Sequence, residues 1–216
     1  MFENRKEAGI ELGKALKKYK SARPVVLAIP RGGVEVGYYV ARALECDFDV
    51  IITRKLGYPQ QPEAAFGALA EDGSLYLDPW SNQYLTRDII TNVQAKENKE
   101  IQRRILKYRN GKELPSLRNR VVILVDDGIA TGATIFAALR MCRKHQSKKI
   151  VIAAPVSGLT RLTALEAEAD EVVILDKYQY LAAVSQGYRN FTNLSDEAVQ
   201  RYLSNWRNQT IKSSPA

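Results

Sequence analysis

The sequence predicts an α/β protein built on a single doubly wound, mostly parallel sheet with helices on both faces. Three observations predict it. Short continuous apolar runs, Val25–Ile29 and Val121–Val125 among them, are bounded by Pro, Gly or Asp, as strands buried on both sides are. Segments with helical apolar spacing separate these runs. The 216 residues contain no internal repeat, low-complexity tract or Pro/Gly/Ser-rich linker, so one domain over residues 1–210 is the simplest organisation.

Residues 2–20 read as a first helix, with Ala8, Leu12, Ala15, Leu16 and Tyr19 on one face. Val25–Ile29 is the first strand, closed by Pro30-Arg31-Gly32-Gly33, and Val36, Val40, Ala41 and Leu44 space a helix behind it. Asp49–Arg54 reads as the second strand. The alternation breaks over 57–118. There, Ala64–Ala70 and Ser74–Leu77 flank Glu71-Asp72-Gly73 as a hairpin (57–80), and a long charged helix follows over 84–110, its stripe Ile90, Val93, Ile101, Ile105 and Tyr108. Alternation resumes with strands at Val121–Val125, Ile150–Ala154 and Val172–Leu175 and helices at 132–145 and 159–169. Right-handed crossovers are expected. A last amphipathic helix turns Val199, Tyr202, Leu203 and Trp206 inward, and 211–216 is expected to fray.

Composition excludes several classes. With 45% hydrophobic residues the chain offsets its ordering entropy, so disorder is not its main state. No apolar run reaches the roughly 18 residues of a membrane span. Two cysteines, Cys46 and Cys142, make neither a disulfide framework nor a zinc cluster and read as small packing residues. The charged start, with no apolar signal core, points to a cytoplasmic protein. A net charge of +8 suits an anionic small-molecule site on a basic surface, or nucleic-acid contact. His145, the only histidine, sits at a helix end beside Arg143 and Lys144 and reads as a surface residue.

Val121–Thr134 carries the chemistry: a buried strand, two acids, a small-residue loop, then a helix. Ligands of open parallel sheets bind beyond the carboxyl ends of the strands, which is where this loop lies. Gly128, Ala130, Gly132 and Ala133 let backbone N–H groups approach an anion, the helix starting near Gly132 adds unpaired N–H groups, and Thr131 and Thr134 add hydroxyls. A carboxylate 4 Å from a phosphate costs about 4 kcal/mol at an effective dielectric near 20. Asp126 and Asp127 should therefore face neutral hydroxyls or a divalent cation; phosphate plus diol describes a ribose 5-phosphate, while a metal site alone or plain turn chemistry are the alternatives. No G-x-x-x-x-G-K-[ST] and no G-x-G-x-x-G after a strand is present, which removes the P-loop and dinucleotide readings.

The segment V-D-D-G-I-A-T-G-A-T resembles the phosphoribosyl pyrophosphate (PRPP) motif of the type I phosphoribosyltransferases, with Ala133 where a second Gly is usual. The resemblance spans about residues 5–205. It is nearest to a poorly characterised branch carrying A-I-P-R-G-G, R-K-L-G and V-D-D-G-I-A-T-G-A-T in order, here at Ala28–Gly33, Arg54–Gly57 and Val125–Thr134. It implies Mg²⁺-dependent transfer of ribose 5-phosphate from PRPP to a nitrogenous base, with pyrophosphate released. Gly128, Ile129, Ala130, Thr131, Gly132, Ala133 and Thr134 would bind the 5-phosphate. Pro30, Arg31, Gly32, Gly33, Arg54 and Lys55 would hold pyrophosphate, with Arg54 and Lys55 at the end of the second strand. Asp126 and Asp127 would serve the ribose and the metal.

The stretch from Gly57 to Gly73 resembles the family's mobile flap, and a small C-terminal hood (177–210) would cover the acceptor with Tyr188, Arg189 and Phe191, Gln186 beside them. Ala130 stands where purine-type members carry an acid, which lowers the odds of a hypoxanthine or guanine acceptor. A homodimer is implied by the same resemblance. Two other readings share the site: a regulator that senses PRPP or nucleotides and binds nucleic acid through the Lys96–Arg120 face, and a nucleoside or nucleotide phosphorylase or hydrolase.

Overall fold

The computed structural model describes residues 1–79 and 85–213. Trp80 of the expected flap, Tyr84 of the expected long helix and 214–216 of the expected tail lie outside the described residues.

In chain order the elements are α1 (Arg5–Ala15), β1 (Val25–Ala28), α2 (Gly32–Leu44), β2 (Asp47–Val50), β3 (Thr53–Tyr58), β4 (Gln61–Ala70), β5 (Leu75–Leu77), α3 (Arg87–Arg109), β6 (Val121–Val125), α4 (Ala133–Lys144), β7 (Lys149–Gly158), α5 (Leu159–Glu168), β8 (Glu171–Tyr178) and α6 (Asp196–Ser213). Five of the strands form a parallel sheet in the order β2-β1-β6-β7-β8, and β3-β4-β5 form a small antiparallel sheet.

Alternation along the central strands separates two cores. Val26, Ala28, Ile123, Val125, Val151 and Ala153 face one way, onto Leu12 of α1, Val36 and Val40 of α2, and Val199 and Leu203 of α6. Val25, Leu27, Val122, Leu124, Ile150 and Ile152 face the other, onto Ala137, Ala138 and Met141 of α4 and Leu165 of α5. The strands read as continuous apolar runs because both faces are covered. Cys46 and Cys142 are buried, and burial pushes both thiols up to about 12, as packing residues behave. Among the described residues no helix is long and apolar enough to cross a membrane.

Three expectations need correcting. The first helix stops at Ala15 and gives way to a 3-10 turn over Lys17–Ala22, because its apolar spacing runs on through Tyr19 while the backbone tightens at Leu16. The expected strand Asp49–Arg54 is the end of one strand and the start of another. Ile51 and Ile52 are both fully buried, so the apolar run conceals the break, but the Ile51 N–H bonds to the Ala28 carbonyl while the Ile52 N–H bonds to the Glu71 side chain (2.9 Å). Arg54 and Lys55 therefore belong to the antiparallel sheet. At the other end, α6 runs on through Ser213, three residues into the expected tail.

Buried charge fixes the antiparallel sheet to α3. Arg109 is 1% exposed and pairs with Glu71 in the β4–β5 turn, where Gly73 takes the left-handed conformation (φ 84°). Thr86 caps α3 by accepting a hydrogen bond from the Ile89 N–H, and the half-buried Arg54 of β3 reaches Glu97 of α3 at 2.7 Å.

Candidate active site

The sheet order reverses between β1 and β6. The chain leaves β1 toward β2 on one side, and β6 continues to β7 and β8 on the other. Such a switch point opens a crevice at the strand ends. Two loops meet there, Pro30-Arg31-Gly32-Gly33 after β1 and the acid loop after β6, joined by the Ile29 N–H donating to the Val125 carbonyl (2.9 Å). The Pro30–Arg31 peptide is cis.

These two motifs touch. A Cβ on Gly32 would stand 1.8 Å from Asp127 Oδ2, and one on Gly33 would stand 2.8 Å from the Val125 carbonyl oxygen and 3.0 Å from Asp126 Oδ1. The glycines of P-R-G-G are thus the surface against which both acids pack, and close approach is what requires them.

Gly132 adopts φ 74° as the N-cap of α4, with no side chain capping the helix. The first-turn N–H groups of α4 remain available to a ligand at the positive dipole end. Below them, Gly128, Ile129, Ala130, Thr131, Gly132 and Thr134 line a small recess of about 160 Å³ with Lys55, Asp126, Asp127 and Val184. Ile129 is 1% exposed and ties the loop to β7, donating to the Val156 carbonyl (2.9 Å). Ala133 turns its methyl into the core below α4, which is how the chain tolerates an alanine in place of a second glycine.

The two acids differ. Asp127 is buried, and its Oδ2 accepts from Arg5 Nε at 2.8 Å. Its N–H donates to Asp126 Oδ1 (2.9 Å), and its carbonyl accepts from the Tyr188 hydroxyl (2.5 Å). Asp126 has no cation in hydrogen-bond contact among the described residues; burial and the neighbouring Asp127 charge push its carboxyl well above the usual range, and Lys55 opposes this in part.

A larger cleft of about 1180 Å³ adjoins the recess and shares Lys55 and Thr134 with it. Pro30, Arg31, Thr53 and Arg54 line it, with Tyr58 and Pro59 of the hairpin and Asn92, Lys96, Glu97 and Arg104 of α3. Its lining carries five cations against one acid, so it favours anions. Arg31 stands at the rim, 43% exposed, with Asp196 at 3.7 Å. His145 lies at the far end of α4, about 18 Å along a 12-residue helix, beside Asp72 (3.4 Å) and away from the acids.

The expected hood residues lie elsewhere. Tyr188 is 5% exposed, packed between the rings of Phe2 and Phe191, with its hydroxyl spent on Asp127. Arg189 points outward toward Glu3, and the Phe191 ring is covered by the Arg5 guanidinium at 3.9 Å. None of the three lines either cleft. Val184 and Asn193 are the residues of that segment that do. The amphipathic look of Tyr188 and Phe191 suits a packed anchor as well as a stacking platform, and sequence cannot separate the two.

Residues 3–184 match the model of the phosphoribosyl transferase domain. The chain belongs to that family. Two Mycobacterium tuberculosis sequences that carry a provisional phosphoribosyl transferase name are 42% identical to it over 205 residues, covering 94% of this chain and 46% of theirs. The chain therefore spans about half the length of the curated relatives it matches. The solved structure of TT1426 from Thermus thermophilus is 38% identical, with a TM-score of 0.81, and covers 95% of this chain and 98% of that one. Within the family frame, the sequence pointed to the acid loop and the P-R-G-G loop and missed Arg5, an unremarkable basic residue at the start of α1 that no motif marks.

Proposed function

We infer that the chain is a phosphoribosyltransferase that moves ribose 5-phosphate from PRPP to a nitrogenous base and releases pyrophosphate. The observation that carries the reading is the uncapped N-terminus of α4 opening onto the same recess as an acid pair, with the P-R-G-G loop packed against those acids. Each part matches one piece of the donor: N–H groups for the 5-phosphate, carboxylates for the diol, and a cationic cleft for the diphosphate.

The chain's own groups fit a magnesium ion that arrives with its substrate. Among the described residues there is no cluster of three or more His, Cys, Asp or Glu side chains that could cage a metal alone. Mg²⁺ is commonly held by one or two carboxylates plus substrate phosphates, and Asp126 is the carboxylate left without a cationic partner among the described residues. When bound, magnesium supplies neutralisation of charge on the diphosphate leaving group.

The protein's part is positioning. N–H groups at 132–135 and the Thr134 hydroxyl fix the 5-phosphate, and the acids orient the ribose. As the C1–O bond lengthens, Lys55 and Arg54 offset the charge that develops on the departing oxygen. The Tyr58–Pro59 turn covers the cleft from the hairpin side and limits water, which competes with the nitrogen nucleophile at C1. Attack comes from the face opposite the leaving group, and no protein nucleophile takes part.

The test is turnover of isotope-labelled PRPP with magnesium against a panel of purine, pyrimidine and pyridine bases. A labelled nucleotide and stoichiometric pyrophosphate are expected with at least one base. Absence of both turnover and PRPP binding overturns the reading. PRPP binding without turnover, accompanied by salt-sensitive RNA or DNA binding, replaces it with the sensing regulator. Cleavage of a nucleoside or nucleotide with no PRPP present replaces it with the phosphorylase or hydrolase.

A further inference from the structure

We propose that Arg5 is the positioning residue for Asp127, and that it makes the two adjacent acids unequal so that a polyanionic donor can approach them. The inference rests on the phosphoribosyltransferase reading and adds a residue outside every motif of the sequence.

Arg5 is 4% exposed, and the guanidinium is pinned from three sides. Its Nε donates to Asp127 Oδ2 at 2.8 Å, its Nη1 donates to the Thr192 carbonyl at 2.7 Å, and its Cζ lies 3.9 Å from the Phe191 ring centroid. A buried arginine with a fixed fork has one orientation, and it transmits that orientation to the carboxylate it binds. Asp127 is held from its other sides as well. Tyr188 takes its carbonyl, Asp126 takes its N–H, and Gly32 closes the space beside Oδ2. Of the carboxylate oxygens, Asp127 Oδ2 is taken by Arg5 and Asp126 Oδ1 by the Asp127 N–H.

The charge consequence follows. Were both ionised, two carboxylates on successive residues would bring two negative charges to a site whose proposed ligand bears a phosphate and a diphosphate. Arg5, which does not line the recess, compensates Asp127, so that Asp126 is the acid left without a hydrogen-bonded cation, in a recess whose lining also holds Lys55. Asp127 then acts as a neutralised hydrogen-bond acceptor for a hydroxyl, and Asp126 as the group that shares a cation with the substrate. Residues just before Arg5 hold the same Tyr188 segment. Phe2 pairs with the segment around Tyr188, and the Phe2 N–H donates to the Gly187 carbonyl (2.8 Å).

The experiment compares the wild-type protein with Arg5→Gln, which keeps donors and loses charge, and Arg5→Lys, which keeps charge. Three ligands are titrated: PRPP with magnesium and inorganic phosphate by calorimetry, and Mn²⁺ alone by electron paramagnetic resonance. Arg5→Gln is expected to weaken PRPP at least tenfold, leave inorganic phosphate within twofold, and tighten Mn²⁺ at least fivefold. Arg5→Lys, which keeps the charge but not the fork, is expected to leave Mn²⁺ within threefold and to weaken PRPP less than Arg5→Gln does. Opposite shifts for donor and cation are something a loosened fold does not produce. Equal PRPP affinity in Arg5→Gln and wild type, or parallel loss of PRPP and phosphate, overturns the inference. If Arg5→Gln does not fold, Phe191→Leu decides: a three- to fivefold loss of PRPP affinity with phosphate unchanged supports the proposal, and no change overturns it. A wild-type protein that binds phosphate but not PRPP overturns the phosphoribosyltransferase reading itself, and this inference with it.

Discussion

Replacing Gly32 by alanine adds one methyl at the contact between the two loops. The new Cβ would stand 1.8 Å from Asp127 Oδ2 and 2.4 Å from its Cγ. Non-bonded carbon contacts settle near 3.5 Å or more, so the carboxylate carbon must retreat by roughly 1.1 Å. A surface side chain would swing aside, but this one has Arg5 against it at 2.8 Å in a site where both side chains are at most 13% exposed. The charge-assisted hydrogen bond is therefore lost or badly bent, at about 1.5–3 kcal/mol. At about 1.4 kcal/mol per decade, PRPP affinity falls roughly 10- to 150-fold. Isothermal titration of PRPP with magnesium measures it. Gly73→Ala is the control, because Gly73 also strains on substitution (φ 84°) but has nothing within 4 Å of its would-be Cβ and lies in the β4–β5 turn. Gly73→Ala should lower stability by about 1–2 kcal/mol and leave PRPP affinity alone. A Gly32→Ala protein that binds PRPP as wild type does would refute the coupling of the two loops.

The two acids should respond differently to amide substitution. Asp126→Asn should weaken magnesium-linked PRPP binding while thermal unfolding stays near wild type; Asp127→Asn should also destabilise the free protein, by about 3–5 kcal/mol, because it strands the buried Arg5. Arg109→Leu should cost about the same by leaving the Glu71 charge buried without its cation, and the double variant with Glu71→Leu should recover only part of the loss in a denaturant titration, because the Ile52 N–H loses its acceptor as well. Acid should loosen the contact between the Lys17–Ala22 turn and β8. The Lys18 ammonium, then Tyr19 and Lys149, hold the Glu171 carboxyl down at about 2, below its unfolded value near 4.3. Its contribution is present above pH 4.3 and is lost as pH falls through about 2. Glu171→Gln should therefore flatten the fall in Tm over that range, seen by scanning calorimetry.

Much of this architecture was legible from residue order. Val121–Val125 and Val25–Ile29 are apolar without alternation because both faces of the sheet are covered, and that pattern alone fixes their place at the centre. The uncapped helix start at Gly132 was legible from the small residues around it. The division between β2 and β3 was not. Ile51 and Ile52 are buried on either reading, and what ends the strand is a long-range bond from the Glu71 side chain, which no local window contains. Arg5 was hidden for the same reason, since its partners Asp127 and Thr192 lie 122 and 187 residues away. The position of Tyr188 was open because a tyrosine that stacks on a ligand and one that bonds a backbone carbonyl have the same local sequence.

The central claim is that the loop at the start of α4 and the loop after β1 together grip the donor. Hydrogen–deuterium exchange at saturating PRPP and magnesium tests it most directly, because the proposed ligands are backbone N–H groups. The account predicts slowed exchange at amides 128–135 and 31–34, with amides of α5 unchanged. Exchange at both loops that is indifferent to saturating donor would contradict it.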